Sequence, residues 1–266
     1  MKKLFVLLFI ILAVPMMSFA QLTNYENEIK ELGYKHNMKG FIKAIKLRDS
    51  YAVSLFTNSS INVNEQNSKG ITPLIVAVDD DNYEYVKYFI ANGANVNLKT
   101  SLGNTALDYA VYRKNLQMAK ILVSYGADVN SKNNNGETPF HHAISKSNGQ
   151  MVYFLLNVGA NINAKDNKGN TALHTAVRKG NLDLVKFLVD NGASVNAYNE
   201  KYMTPLYLAA AHGKENIVRY LLENNADKSF KTKKGLQPID IALKNKHLKI
   251  VKHLSKETLL NVQLRY

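Results

Sequence analysis

An internal period of 33 residues runs through this chain and limits it to a stacked, repetitive architecture. Thr72, Thr105, Thr138, Thr171 and Thr204 stand 33 apart, and Gln237 takes the next place. Pro or Ala follows each: Pro73, Ala106, Pro139, Ala172, Pro205, Pro238. A large apolar residue comes next: Leu74, Leu107, Phe140, Leu173, Leu206, Ile239. Gly93-Ala94, Gly126-Ala127, Gly159-Ala160 and Gly192-Ala193 keep the spacing, and Asn225-Ala226 continues it. Asn97, Asn130, Asn163 and Asn196 form a further register. A period of this length marks supersecondary units that bury their apolar faces against one another.

The chemistry of each register predicts local structure. Thr before Pro starts a helix, because the hydroxyl caps a free N–H and Pro has no N–H to leave unpaired. Leu74 and Ala77 share one face of that helix. Ala77 recurs as Ala110, Ala143, Ala176, Ala209 and Ala242, and so small a residue lets paired helices approach closely. A second helix follows. Its buried face carries Val86/Phe89, Ala119/Leu122, Val152/Leu155, Val185/Leu188, Val218/Leu221 and Val251/Leu254. Tyr85, Met118, Met151, Leu184, Ile217 and Ile250 share another core register. The Gly positions end this helix in a left-handed cap, which Asn225 also tolerates. A stretch rich in Asn, Ser and Gly, such as Asn95 to Gly103, then makes a projecting turn.

The unit resembles the ankyrin repeat. That family's pattern runs Gly-x-Thr-Pro-Leu-His-x-Ala-Ala, then Gly-His, then Val-x-x-Leu-Leu-x-x-Gly-Ala-Asp-Val-Asn. Gly169, Thr171, Leu173, His174, Ala176, Gly180, Val185, Leu188, Gly192, Ala193, Val195 and Asn196 follow it. The resemblance extends from about residue 37 to 255. It departs at Gln237 and at Tyr202, where Gly is expected, so the hairpin around Tyr202 is expected to differ. The fold class implied is all-α: an ankyrin-repeat solenoid of helix-turn-helix units with projecting hairpins, about seven repeats including two degenerate caps.

Counting by the period sets the expected organisation. Residues 37–69 are a capping repeat without Thr-Pro, in which Phe41, Ala44, Val53 and Asn64 take the registers of Leu74, Ala77, Val86 and Asn97. Full repeats occupy 70–102, 103–135, 136–168, 169–201 and 202–234, and a truncated cap with a tail occupies 235–266. Residues 21–36 read as a polar leader with one short helix, Asn24 to Leu32. Lys43, Lys46, Lys244, Lys246, Lys249 and Lys252 suit the polar outer faces of terminal repeats.

Residues 1–20 read as a secretory signal. Lys2 and Lys3 precede an unbroken apolar run, Leu4 to Val14. Pro15 breaks it, and Ser18-Phe19-Ala20 puts small residues where signal peptidase requires them. Cleavage is expected after Ala20, and the run is short for a membrane anchor. No later segment is long and apolar enough to cross a bilayer. The short signal and Lys/Asn-rich composition look bacterial, so the expected destination is the periplasm or the exterior. The chain holds no Cys, which excludes disulfides, thiolate metal sites and a Cys nucleophile.

Few residues suggest chemistry. His141 and His174 occupy the family's His position, which implies a hydrogen bond between repeats. Joining His141, His142, His174 and His212 in a metal site fails on distance, since neighbouring repeats lie about 10 Å apart and zinc needs nitrogens at about 2 Å. Asp79-Asp80-Asp81 lacks the spaced ligands of a calcium loop and reads as a solvated helix end. Tyr83, Tyr85 and Tyr88 read mainly as packing. No nucleophile elbow, P-loop or His-Glu-x-x-His motif is present. Neither enzyme nor cofactor nor metal is expected.

The variable registers carry more. The resemblance implies that partners meet the hairpin tips and the exposed ends of the first helices, along a concave face. Tyr112, Arg113, Lys146, Arg178, Lys179, His212 and Lys244 fall at the helix ends, and Lys168, Lys201 and Lys234 precede the hairpin Gly register. Asp79-Asp80 makes the face acidic at its start, and it is basic from Arg113 onward. Of the 34 basic and 21 acidic residues, 13 and 5 lie in 201–266. Clustered charge steers partners of opposite sign. The expectation is a monomeric protein–protein interaction module, scaffold or inhibitor, that meets an acidic protein surface. The alternative is a polyanion or envelope glycolipid bound by the basic C-terminal half. Export and the lack of interleaved Trp or Phe argue against nucleic acid, and no stable membrane insertion is expected after cleavage.

Overall fold

A computed structural model describes residues 19–263, and side chains over residues 21–255. Of the signal sequence expected at residues 1–20, the part up to Ser18 lies outside the described residues. Those residues form fifteen helices and no strand. None of the helices is long and apolar enough to cross a membrane. The chain divides into two compact units, the first ending at Leu98 and the second starting at Lys99.

The first unit holds α1 (Phe19–Glu31), α2 (Met38–Lys46), α3 (Ser50–Asn58), α4 (Pro73–Asp79) and α5 (Tyr83–Ala91). α2 and α3 form one helix pair, α4 and α5 the next, and α2 packs on α4. Phe41, Phe56 and Phe89 fill the core. The Phe41 ring stacks on Phe56 at 5.0 Å and meets Phe89 edge-on at 5.8 Å. The leader differs from expectation. Its helix covers Phe19–Glu31 among the described residues, packs along α3 and buries Ile29 completely. The Tyr51 hydroxyl donates to Glu28 and fastens it further. An apolar residue at position 29 makes α1 a cover for the second helix of the first pair.

The second unit stacks five helix pairs: α6 (Ala106–Tyr112) with α7 (Leu116–Ser124), α8 (Pro139–Ser145) with α9 (Gly149–Asn157), α10 (Ala172–Lys179) with α11 (Leu182–Asp190), α12 (Pro205–Ala211) with α13 (Glu215–Glu223), and α14 (Pro238–Lys244) with α15 (Leu248–Gln263). Each first helix packs on the next first helix, from α6 through α14.

Capping fixes where the helices start. Thr72 and Thr204 accept from the backbone N–H three residues on. Thr105, Thr138 and Thr171 form capping boxes, with Asp108, His141 and His174 reaching back to the Thr N–H. Asn82, Asn115, Asn148 and Asn181 cap the second helices, another register of the same period. Gly126, Gly159 and Gly192 end them at φ of 85°, 93° and 88°, and Asn225 does so at 63°.

The six alanines from Ala77 to Ala242 are fully buried. The predicted core registers hold in the middle repeats and relax at the edges. Tyr85 is half-buried against Phe89. Val251 is half-buried, while its helix neighbours Ile250 and Leu254 stay buried.

Candidate functional site

The side chains picked from the sequence for partner contact, Tyr112 to Lys244, lie in the second unit, and all ten are exposed. Tyr112, Lys179 and Lys244 are the last residues of their helices, and Arg113, Lys146 and His212 are the capping residues just beyond α6, α8 and α12. Arg178 precedes Lys179 on α10. Contacts between repeats tie these helix ends into a file. The Lys146 ammonium lies 5.3 Å from the centre of the Tyr112 ring. Lys179 Nζ donates to Ser145 O. Asn245 Nδ2 donates to Ala211 O at 2.8 Å. His212 is turned toward its own helix, with Nδ1 donating to Leu208 O at 2.8 Å, which leaves Nε2 for a partner.

Lys168, Lys201 and Lys234 sit on the hairpin tips. The tips are joined by backbone bonds: Glu200 N–H donates to Lys168 O at 3.0 Å and Lys233 N–H to Lys201 O at 3.2 Å. Asparagines fasten the bases of the hairpins. Asn130, Asn163 and Asn196 each donate to a carbonyl in the next repeat (of Gly159, Gly192 and Asn225) and accept from its backbone (Asn161, Ser194 and Asp227). This explains the asparagine register. The hairpin of Tyr202 keeps the fold of its neighbours, contrary to expectation. Tyr202 takes the left-handed conformation at φ 57°, and its N–H donates to Asn199 O as Gly169 N–H does to Asp166 O. Its ring stacks on Tyr198 at 5.1 Å, and Tyr198 stacks on Phe230 at 5.6 Å.

Two features were missed from the sequence. The first is a ladder of lysines along the hairpins: Lys99, Lys132 and Lys165 each donate to the carbonyl 33 residues on, at 2.8, 2.9 and 2.9 Å. Their spacing was the available signal. The Lys165 ammonium also lies 4.6 Å from the Tyr198 ring centre, and that of Lys233 lies 5.4 Å from Tyr202.

The second is a buried polar cluster under Tyr112. Asp108, 1% exposed, spends one carboxyl oxygen on the Thr105 N–H and hydroxyl. The other oxygen has no hydrogen-bond partner among the described residues and lies 3.7 Å from His142 Nε2. Asn133 Nδ2 faces that same His142 nitrogen at 3.3 Å, and the Tyr112 hydroxyl sits 3.1 Å from Nδ1. Burial raises Asp108 to about 6 and lowers His142 to about 4. Burial also pushes Tyr112 up to about 12. The cluster joins two neighbouring repeats through residues in different registers, so the period does not reveal it.

His141 and His174 perform the inter-repeat role that the resemblance implied. His174 Nδ1 accepts from Thr171 N–H at 3.1 Å, and its Nε2 donates to Met203 O at 3.1 Å. His141 does the same between Thr138 and Asn170 O, at 3.2 and 3.4 Å. Burial lowers both, His174 to about 4. Two of the four histidines weighed as metal ligands thus spend both ring nitrogens on other bonds. No group of three or more His, Asp or Glu among the described residues is placed to hold a metal ion.

A family model described as ankyrin repeats (3 copies) matches residues 41–133, 126–199 and 195–264. No curated protein matches the chain.

Proposed function

The chain belongs to the ankyrin-repeat family, and on that premise we propose that it is an exported binding protein that captures an acidic protein surface along the file of helix ends and hairpin tips from Tyr112 to Lys244. Ankyrin repeats are generally protein–protein interaction modules and typically non-enzymatic. The observation that supports the choice of face is its continuity along the hairpins, where Lys168, Lys201 and Lys234 lie on tips hydrogen-bonded in series. The helix ends that carry Arg113, Lys146 and Lys179 are linked from α6 to α10, and the ends of α12 and α14, near Lys244, are linked to each other. Rigid stacking presents these cations preformed, which lowers the entropy lost on binding. Export, as scaffold or inhibitor, rests on the reading of residues 1–20.

Affinity capture with residues 21–266 from envelope extract, followed by mass spectrometry, tests the proposal. The expected result is a protein with an acidic surface that is retained by the native chain and released when Arg178 and Lys179 are changed to Glu. Recovery of nothing beyond polyanions would overturn it.

The second reading, a polyanion or envelope glycolipid, draws on one observation. Cations lie against exposed aromatic rings at Tyr198 and Tyr202. Retention on heparin that falls steeply with salt, with no protein captured, would favour it.

A further inference from the structure

Glycine lets the hairpin tips of the second unit stack at close range. A Cβ built on Gly103, Gly136 or Gly169 would come within 2.6, 2.3 and 2.9 Å of atoms in the next hairpin. Backbone bonds join these tips: Asn134 N–H to Leu102 O at 3.0 Å, Asn167 N–H to Asn135 O at 2.9 Å, and Glu200 N–H to Lys168 O at 3.0 Å. Side-chain amides add Asn133 to Asn104 at 3.2 Å and Asn199 to Asn170 at 3.0 Å.

One repeat further on, three of these devices change together. Tyr202 takes the glycine register. Thr232 takes the register of Asn133 and Asn199 and, like Asp166 in that register, has no amide to donate, so this junction lacks all three devices at once. Tyr207 takes the register from which His141 and His174 bridge to the next hairpin. The bond from Lys233 N–H to Lys201 O is the longest of the four at 3.2 Å. A cleft of about 480 Å³ opens there, lined by Lys201, Met203, Tyr207, Lys233, Lys234 and Leu236, with Thr232 at its base.

The cleft has an apolar floor and a cationic rim. Met203, Leu236 and the Tyr207 ring make the floor, and no carboxylate is among the lining residues. Tyr207 is 8% exposed, and its hydroxyl makes no hydrogen bond among the described residues. The three lysines offer charge to an anion, and the hydroxyl can donate to one. The volume suits one large side chain with its flanking peptide.

We propose that this cleft anchors the partner: it takes a leucine or aromatic side chain flanked by carboxylates in an extended segment of the bound protein. This rests on the reading of the basic face given above and names what that face selects. The apolar side chain lies on Met203, Leu236 and Tyr207, and the carboxylates pair with Lys201, Lys233 and Lys234.

The test is fluorescence anisotropy with residues 21–266 and three labelled probes: a glutamate–tyrosine copolymer, polyglutamate of equal length, and a heparin fragment. The copolymer is expected to bind about tenfold tighter than polyglutamate, as burying one aromatic side chain allows. Tyr202→Gly keeps every lining residue but restores the close-packing glycine. It is expected to keep or raise the Tm and to abolish the preference. Equal binding of the two glutamate polymers, a preference that survives Tyr202→Gly, or heparin binding as tight as the copolymer would each overturn the proposal. Changing Arg178 and Lys179 to Glu separates this from the face reading. Weaker binding of both glutamate polymers with an unchanged ratio supports the face. A ratio of one, with binding still sensitive to Arg178 and Lys179, sinks the anchor and leaves the face.

Discussion

Leu173 and His174 sit side by side on α10, both fully buried, and they test different physics. Leu173→Ala leaves a void in a close-packed repeat and is expected to cost about 2–5 kcal/mol in chemical denaturation, with a cost below about 1 kcal/mol contradicting its place in the core. His174 is held neutral by burial, with its pKa lowered to about 4. Between that value and its ordinary one near 6.5, the unfolded chain binds the proton and the folded chain does not. Stability is therefore fully present above about pH 6.5 and falls as the pH drops toward 4, by up to roughly 3 kcal/mol for this residue. His141 and His142, also lowered, act in the same direction. Asp108, raised to about 6, opposes them: its carboxyl is easier to bury once protonated, so acidification favours the fold there. Three histidines against one aspartate predict net acid lability. His174→Gln retains a capping-box acceptor and removes one titrating group. Denaturation series at pH 7.0 and 4.5 should show a shallower pH dependence for that variant, and an unchanged slope would contradict the assignment.

At the scale of the element, glycine at the hairpin tips has two separable jobs, positive φ and close approach. Gly136 needs both: its φ is 73°, and a Cβ would lie 2.3 Å from the Asn167 side chain and 2.7 Å from its backbone nitrogen. Gly235 has φ 75° and open space around a Cβ. Changing Gly235 to Ala should cost about 1 kcal/mol from backbone strain alone, and changing Gly136 to Ala clearly more. Equal costs would show that the hairpins do not stack as described. The helices themselves were legible from Thr-Pro starts, Gly-Ala ends and alanines at one register, because each repeat restates the same local chemistry. What stayed hidden arises where registers are broken or crossed. Ile29 turns a polar leader into a packed helix. His142 meets Asp108 and Tyr112 across registers. Tyr202 and Tyr207 depart from the pattern together and open a cleft, which no single register predicts. Lys99, Lys132 and Lys165 did keep the period, but lysine at exposed positions is common enough to pass as solvated surface.

At the scale of the whole molecule, charge bears on what the protein can meet, and the proposed export on where it meets it. The 13 basic residues of positions 201–266, set against 5 acidic ones, give that part of the chain a field that attracts anionic partners and is screened by salt. Exported material is expected to begin at Gln21, which intact mass determines. Retention of Leu4 to Val14 in a membrane fraction would mean the segment is an anchor instead.

The measurement that bears most directly on the basic face is association kinetics with the captured partner across a salt series, for two paired reversals. Changing Arg178 and Lys179 to Glu alters the face. Changing Lys249 and Lys252 to Glu, exposed positions on α15, makes the same change in net charge away from it. Both should leave stability within about 0.5 kcal/mol, as exposed substitutions usually do. The first is predicted to slow association most at low salt, and the second to change it little, since charges near an interface act chiefly through steering. Equal slowing by both would point to diffuse attraction without a face, and no effect from either would leave the basic ladders as solvated surface.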